Sequence, residues 1–189
     1  MKSYRRGVAR IALQLVETVV LTLVLFVFVQ SVVAQPFTVK QRSMEYTLEP
    51  DQYLLVDKLT PRFEPYHRSD IIVFNPSPAW TIGSDTPYVK RVIGVAGDVI
   101  ELRDGRVILN DAVLEEPYVF ELQRTDVLGD RSRWVVAAGE LFVLGDHRSG
   151  SADSRLFGPI PVESVIGRVW LRYWPRSRFG VLAKPTTDP

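Results

Sequence analysis

From Ile11 to Ala34 the chain reads IALQLVETVVLTLVLFVFVQSVVA, with Glu17 as its one charge. As a helix rising about 1.5 Å per residue, this stretch measures about 36 Å, enough to cross a hydrocarbon core of about 30 Å. Residues 1–10, MKSYRRGVAR, carry Lys2, Arg5, Arg6 and Arg10 and no acid. A basic flank ahead of a span puts the N-terminus in the cytoplasm and everything after Ala34 outside. The competing reading is a cleaved leader, for which Val32 and Ala34 supply small residues. The apolar stretch exceeds the usual h-region of about 7–15 residues, which favours a permanent anchor. Glu17 lies in the first half of the span and reads as an acid that reaches the interface or pairs within the bilayer. No second long apolar run follows and the closing AKPTTDP is short and polar, so a single crossing is expected. The chain then divides into a cytoplasmic basic segment 1–10, a transmembrane anchor 11–34 and an extracytoplasmic domain 35–189.

Composition narrows what that domain does. The 23 basic and 22 acidic residues leave a net charge of +1, so no global field attracts nucleic acid. There is no cysteine, which removes disulfide frameworks, thiolate metal sites and cysteine nucleophiles. His67 and His147 are the two histidines, too few for a multi-histidine metal site. Neither metal nor cofactor is expected.

Beyond the span, helical periodicity gives way to short apolar runs: Tyr53–Val56, Ile71–Phe74, Val89–Ile93, Val99–Leu102, Val107–Leu109, Leu141–Leu144 and Val165–Trp174. Asp104-Gly105 between two of them reads as a tight hairpin turn, and Asn110-Asp111 as a second. The 13 prolines and 12 glycines interrupt longer elements. The pattern indicates a mainly β domain, an antiparallel barrel or paired sheets with long loops, behind one N-terminal transmembrane helix. Residues 115–140 are more polar and less patterned, and suggest a small subdomain around 103–140. In VWLRYW, Val169 to Trp174, strand alternation sends at least half of the rings to the core, although Trp170 and Trp174 would also suit a membrane interface.

Three segments carry the residues for chemistry. Ser43 lies nine residues beyond Ala34, within about 30 Å of the membrane even if the chain is fully extended. A serine needs a base to become a nucleophile. His67 sits in a polar loop, and His147 adjoins Asp146 in a turn where neighbouring side chains point apart. Lys90 lies within the apolar run after Val89, on the strand face of Val92 and opposite that of Arg91. A lysine turned inward loses hydration, and its pKa falls toward neutrality; a lysine whose head reaches water does not. The third segment, LGDHRSGSADSRLFGPIP, concentrates Asp146, Ser149, Ser151, Asp153, Ser154 and Arg155. It reads either as a solvated turn or as a rigid polar loop holding other groups. The residues alone leave open a Ser-Lys pair, a Ser-His pair and a β-domain without catalysis.

Taken in order, these segments resemble the type I signal peptidases, membrane-bound Ser-Lys proteases that remove signal peptides from exported proteins. The nucleophile box is matched by Ser43, Met44, Thr47 and Leu48. Asp70 to Phe74 is similar to the strand box. Tyr88, Lys90, Arg91, Gly94, Gly97 and Asp98 resemble the general-base box. Gly145, Asp146, Arg148, Ser151, Asp153, Arg155 and Gly158 resemble the last box. The resemblance implies Ser43 as nucleophile, Lys90 as general base and Ser151 as the group that orients the amine. Asp153 and Arg155 would pair and hold their loop, and the Ser43 N–H would donate to the oxyanion. It also implies signal peptides of secreted preproteins and the lipid bilayer as partners, and the cell membrane as location. Four positions depart from the pattern. Tyr46 stands where proline is usual, His147 for Asn and Ser69 for Gly. Gln41 replaces a Ser or Gly that in some members gives the second oxyanion hydrogen bond, which its amide would then supply.

Overall fold

The computed structural model describes residues 2–78, 80, 86–119 and 123–182; the polar C-terminal segment 183–189 lies outside them. Helix α1 (Lys2–Phe28) continues through a π-helical turn, Val29–Val33, straight into strand β1 (Ala34–Thr38). Leu13–Val33 is long and apolar enough to cross a membrane, by length and composition. Hydroxyls inside the helix turn back on their own backbone: Thr18 donates to the Gln14 carbonyl at 2.8 Å and Ser31 to the Val27 carbonyl at 2.7 Å. Such i−4 bonds satisfy these two hydroxyls within the helix itself, as a hydrocarbon setting would require.

The strands that follow are β2 (Tyr53–Asp57), β3 (Ile71–Phe74), β4 (Tyr88–Gly94), β5 (Val99–Arg103), β6 (Arg106–Leu109), β7 (Ala112–Val113), β8 (Arg133–Val135), β9 (Glu140–Leu144), β10 (Ile160–Pro161), β11 (Val165–Trp174) and β12 (Gly180–Val181), with a one-turn helix α2 (Ser154–Phe157) before β10. They form two sheets. The larger runs β1-β2-β11-β3-β4-β9-β10 with β12 added to β11, and the smaller runs β7-β6-β5-β8. Each pairing between described strands is antiparallel. All seven apolar runs of the sequence became strands. The strands not foreseen are short or carry proline. Pro36 and Pro161 lie in β1 and β10, the two ends of the large sheet, where a missing N–H is tolerated. The hairpin turns formed as expected: Asp104 and Gly105 (φ 55° and 77°) join β5 to β6, and Asn110 and Asp111 (φ 51° and 68°) join β6 to β7, paired positive values that match strand twist.

Three apolar clusters hold the sheets together. One joins Ile100, Leu109 and Trp134 of the small sheet to Ile93, Phe142 and Leu144 of the large one, so the 103–140 region shares its core with the rest. A second packs Val39, Met44 and Leu48 on Leu54, Val73 and Val89. A third gathers Ile72, Phe74, Trp80, Tyr88 and Val143. All seven residues of β4 are buried, because β3 and β9 flank it and core covers both faces. That burial takes in Lys90 and Arg91.

The aromatic end of β11 departs from expectation. Trp170 is 51 % exposed, Trp174 49 % and Tyr173 36 %, so these rings form a surface rim and not core. Register shifts at Val169/Leu171 and Arg172/Trp174 against β2 break the alternation that would have turned half of them inward.

Candidate active site

Ser43 sits in a compact turn after β1. The Glu45 N–H donates to the Arg42 carbonyl at 3.0 Å, and the Thr47 and Leu48 N–H groups converge on the Met44 carbonyl at 3.1 and 2.7 Å. Met44 and Leu48, 1 % and 0 % exposed, root the turn in the core. Tyr46 takes φ 81°. Proline, locked near about −65°, could not adopt that backbone, so the departure from the family pattern at this position goes with a different turn. Ser69 likewise takes φ 70°, a conformation that suits the glycine it replaces.

Lys90 comes from the middle of β4, directly opposite Ile72 of β3. Its Nζ lies 2.6 Å from the Ser43 Oγ and 3.3 Å from the Val89 carbonyl. The side chain is fully enclosed at 1 % exposure. Burial pushes its pKa down to about 8; the Asp153 and Asp146 carboxylates act against burial, and the Arg155 guanidinium acts with it.

The loop after β9 is cross-braced by charge. Arg155 pairs with Asp153 through two bonds of 2.8 and 3.0 Å and donates to the Arg148 and Ser151 carbonyls at 2.6 and 3.1 Å. Asp153 also accepts from the Gly145 N–H at 3.1 Å. Asp146 is bidentate with Arg91 at 2.9 and 2.6 Å, while Thr47 donates to it at 2.5 Å. Arg148 is clasped by Glu116 at 2.7 and 2.5 Å and by the Thr125 hydroxyl. Burial works against that charge, but Glu116 outweighs it and the Arg148 pKa is raised.

The structure brings Ser43 and Lys90 together and pairs Asp153 with Arg155. Ser151 is buried, 5 % exposed, but its hydroxyl has no hydrogen-bond partner among the described residues, so the orienting bond to Lys90 is not formed. Gln41 is half-buried and lines a pocket of about 190 Å³ together with Phe37, Val39, Ser43, Met44 and Val89. His147 turns its Nδ1 to Glu45 at 2.9 Å, and His67 is exposed. Two features carry no readable signal in the sequence. The Arg91–Asp146 pair joins residues 55 apart. At Gly145, a Cβ would lie 2.3 Å from the Ser151 hydroxyl and 2.4 Å from the Ser43 carbonyl, so the Ser43 turn and the loop touch only because that side chain is absent.

Residues 12–174 match the family described as signal peptidase, peptidase S26. A signal peptidase I of Leptolyngbya laminosa is 35% identical over 175 residues, which cover 90% of this chain and 83% of the relative. A signal peptidase I of Bacillus caldolyticus is 37% identical over 171 residues, 85% of this chain and 87% of the relative. Among solved structures, a signal peptidase I from Enterococcus faecalis aligns at a TM-score of 0.44 with 31% identity, over 56% of this chain and 97% of that one.

Proposed function

Since the chain belongs to the signal peptidase family, peptidase S26, we propose that it cleaves signal peptides from exported preproteins with Ser43 as nucleophile and Lys90 as general base. The observation that carries this reading is the 2.6 Å contact between the Ser43 Oγ and a fully enclosed Lys90 amine. An enclosed amine with a pKa of about 8 is neutral in a usable fraction of molecules near physiological pH, and a neutral amine can take a proton.

The reaction runs in two halves. Lys90 accepts the Ser43 proton as Oγ bonds to the scissile carbonyl carbon, whose oxygen becomes an oxyanion. The Ser43 N–H and the Gln41 amide donate to that oxygen, each such donor contributing about 2.7–4 kcal/mol. The Lys90 ammonium then protonates the leaving amine as the C–N bond breaks, leaving an acyl-serine. Water, deprotonated by the same amine, attacks the ester, and Ser43 recovers its proton. The buried Ser151 hydroxyl, which has no hydrogen-bond partner among the described residues, is available to orient the amine. The Asp153–Arg155 pair holds the loop that carries it.

The substrate binds extended along the edge of β1, which lends backbone hydrogen bonds. Phe37, Val39, Met44 and Val89 wall the small pocket beside Ser43 and favour small side chains ahead of the cleaved bond, as in A-x-A-like signal sequences. Residues 1–10 lie in the cytoplasm, 11–34 anchor the chain, and 35–189 form the extracytoplasmic catalytic domain. A second cavity, of about 640 Å³, is lined by Val33 and Ala34 from the end of the span and by Trp170 and Val181. The span therefore ends beside the exposed aromatic rim, a composition that suits a membrane–water interface.

The test is incubation of the purified protein in detergent with a model preprotein, beside Ser43→Ala and Lys90→Ala. Cleavage by the parent and by neither variant is expected. Cleavage by Lys90→Ala at the parent rate would rule the dyad out.

A further inference from the structure

We propose that His147 is a positioning residue: its ring and backbone clamp the Arg42–Tyr46 turn so that the Ser43 hydroxyl stays in line with Lys90. This rests on the Ser43–Lys90 reading above. The clamp has three points. The His147 N–H donates to the carbonyl of Ser43 itself at 3.1 Å. Its Nδ1 lies 2.9 Å from a Glu45 carboxylate oxygen and 3.3 Å from the Arg42 carbonyl. The ring meets the edge of Tyr46 with centroids 5.8 Å apart and planes at 71°. One side chain from the loop after β9 thus engages the residues one before, two after and three after the nucleophile.

Both partners of Nδ1 are acceptors, so Nδ1 carries the proton and the ring acts as a donor toward the turn. That tautomer leaves Nδ1 unable to accept the serine proton. The neighbouring charges are already engaged: Asp146 with Arg91, and Arg148 with Glu116. The other Glu45 oxygen lies 3.6 Å from the Arg42 Nε. Gly150 makes room for the ring, since a Cβ there would sit 2.8 Å from its Nδ1 and Cε1.

The geometry divides the work of holding the turn. Thr47 on Asp146 and the buried Met44 and Leu48 root it in the core. His147 adds holds at Arg42, the Ser43 carbonyl, Glu45 and Tyr46. The His147 and Glu45 side chains are each 22 % exposed, and a hydrogen bond so placed adds little to stability. Its effect is therefore expected in turnover and not in folding.

The experiment compares His147→Leu, His147→Asn and Glu45→Ala with the parent on one preprotein in detergent, with kcat, KM and thermal unfolding measured for each and Lys90→Ala run alongside. Asn carries its Nδ2 where His carries Nδ1; Leu fills the space without a donor. A nucleophile displaced by about 1 Å loses about 100-fold, so His147→Leu should lower kcat by about 10- to 100-fold, with KM within about twofold and the unfolding temperature unmoved. His147→Asn should restore most of the rate. Glu45→Ala should cost less than His147→Leu, and nothing further when added to it. A His147→Leu kcat within twofold of the parent, a loss that Asn does not rescue, or a loss that follows the unfolding temperature would each overturn the clamp. If Lys90→Ala is inactive in the same series, the dyad stands although the clamp falls. If Lys90→Ala is active and His147→Leu is dead, histidine is the base and both fall.

Discussion

Replacing the Lys90 amine should make the protein more stable while abolishing its activity. In the folded chain the amine titrates at about 8, against 10.5 for an ordinary lysine. A difference of about 2.5 units at about 1.36 kcal/mol per unit means that enclosure of this lysine costs the fold about 3 kcal/mol at neutral pH. Lys90→Met keeps the length and apolar stem of the side chain and removes the charge. It also removes the 2.6 Å contact with Ser43, a loss of about 1 kcal/mol. The net expectation below pH 8 is a gain of about 2 kcal/mol. The sign follows from proton counting. Between about 8 and 10.5 the unfolded chain binds a proton that the folded chain does not, so parent stability climbs with pH across that window. The advantage of Lys90→Met should therefore shrink from pH 8 upward and turn into a deficit of about 1 kcal/mol above 10.5, when only the lost contact remains. Urea unfolding of the full chain in micelles, followed by tryptophan fluorescence at pH 7 and pH 10.5, measures both ends. A variant no more stable than the parent at pH 7, or one whose advantage does not change with pH, would refute the idea that Lys90 is held against its preferred charge.

Other expectations rest on the same geometry. Gly145→Ala places a methyl 2.3 Å from the Ser151 hydroxyl and 2.4 Å from the Ser43 carbonyl; the two loops must part, and kcat should drop about 100-fold for a shift of about 1 Å, with circular dichroism unchanged. Ser151→Ala removes a buried hydroxyl that has no hydrogen-bond partner among the described residues, so it should cost no stability in urea and yet lower kcat; a kcat equal to the parent would remove its orienting role. Arg91→Met strands the fully buried Asp146 carboxylate and should destabilise by about 3–5 kcal/mol, visible as an earlier urea midpoint and partly repaired by a second change, Asp146→Asn.

The sequence made the sheet legible where local physics decides it. Runs such as Ile71–Phe74 and Val99–Leu102 can only be strands of that length between turn residues. Asp104-Gly105 and Asn110-Asp111 supply the positive φ that tight hairpins demand. Lys90 could be singled out because a lysine amid valines must either reach water or find a partner, and Ser43 was the partner the box pattern offered. What stayed hidden depends on long-range packing. β1 reads as coil because Pro36 interrupts it, and it becomes a strand by lying at a sheet edge. The rings of β11 stayed outside because register shifts, invisible in a single strand, break its alternation. The link from Arg91 to Asp146 requires knowing that β4 and β9 are neighbours. Tyr46, where the family pattern has proline, lies in a turn with φ 81° that proline cannot adopt.

The most direct test is the pH dependence of kcat/KM for the parent enzyme on a model preprotein between pH 6 and 10. With the amine titrating at about 8, about a tenth of the molecules hold it neutral at pH 7 and about a hundredth at pH 6. A lysine base requires kcat/KM to rise about tenfold per unit below 8 and to level off above it. A limb centred near 6.5 would point to histidine, and one near 10.5 to an amine in contact with water; either would contradict the assignment of Lys90 as an enclosed, neutral base.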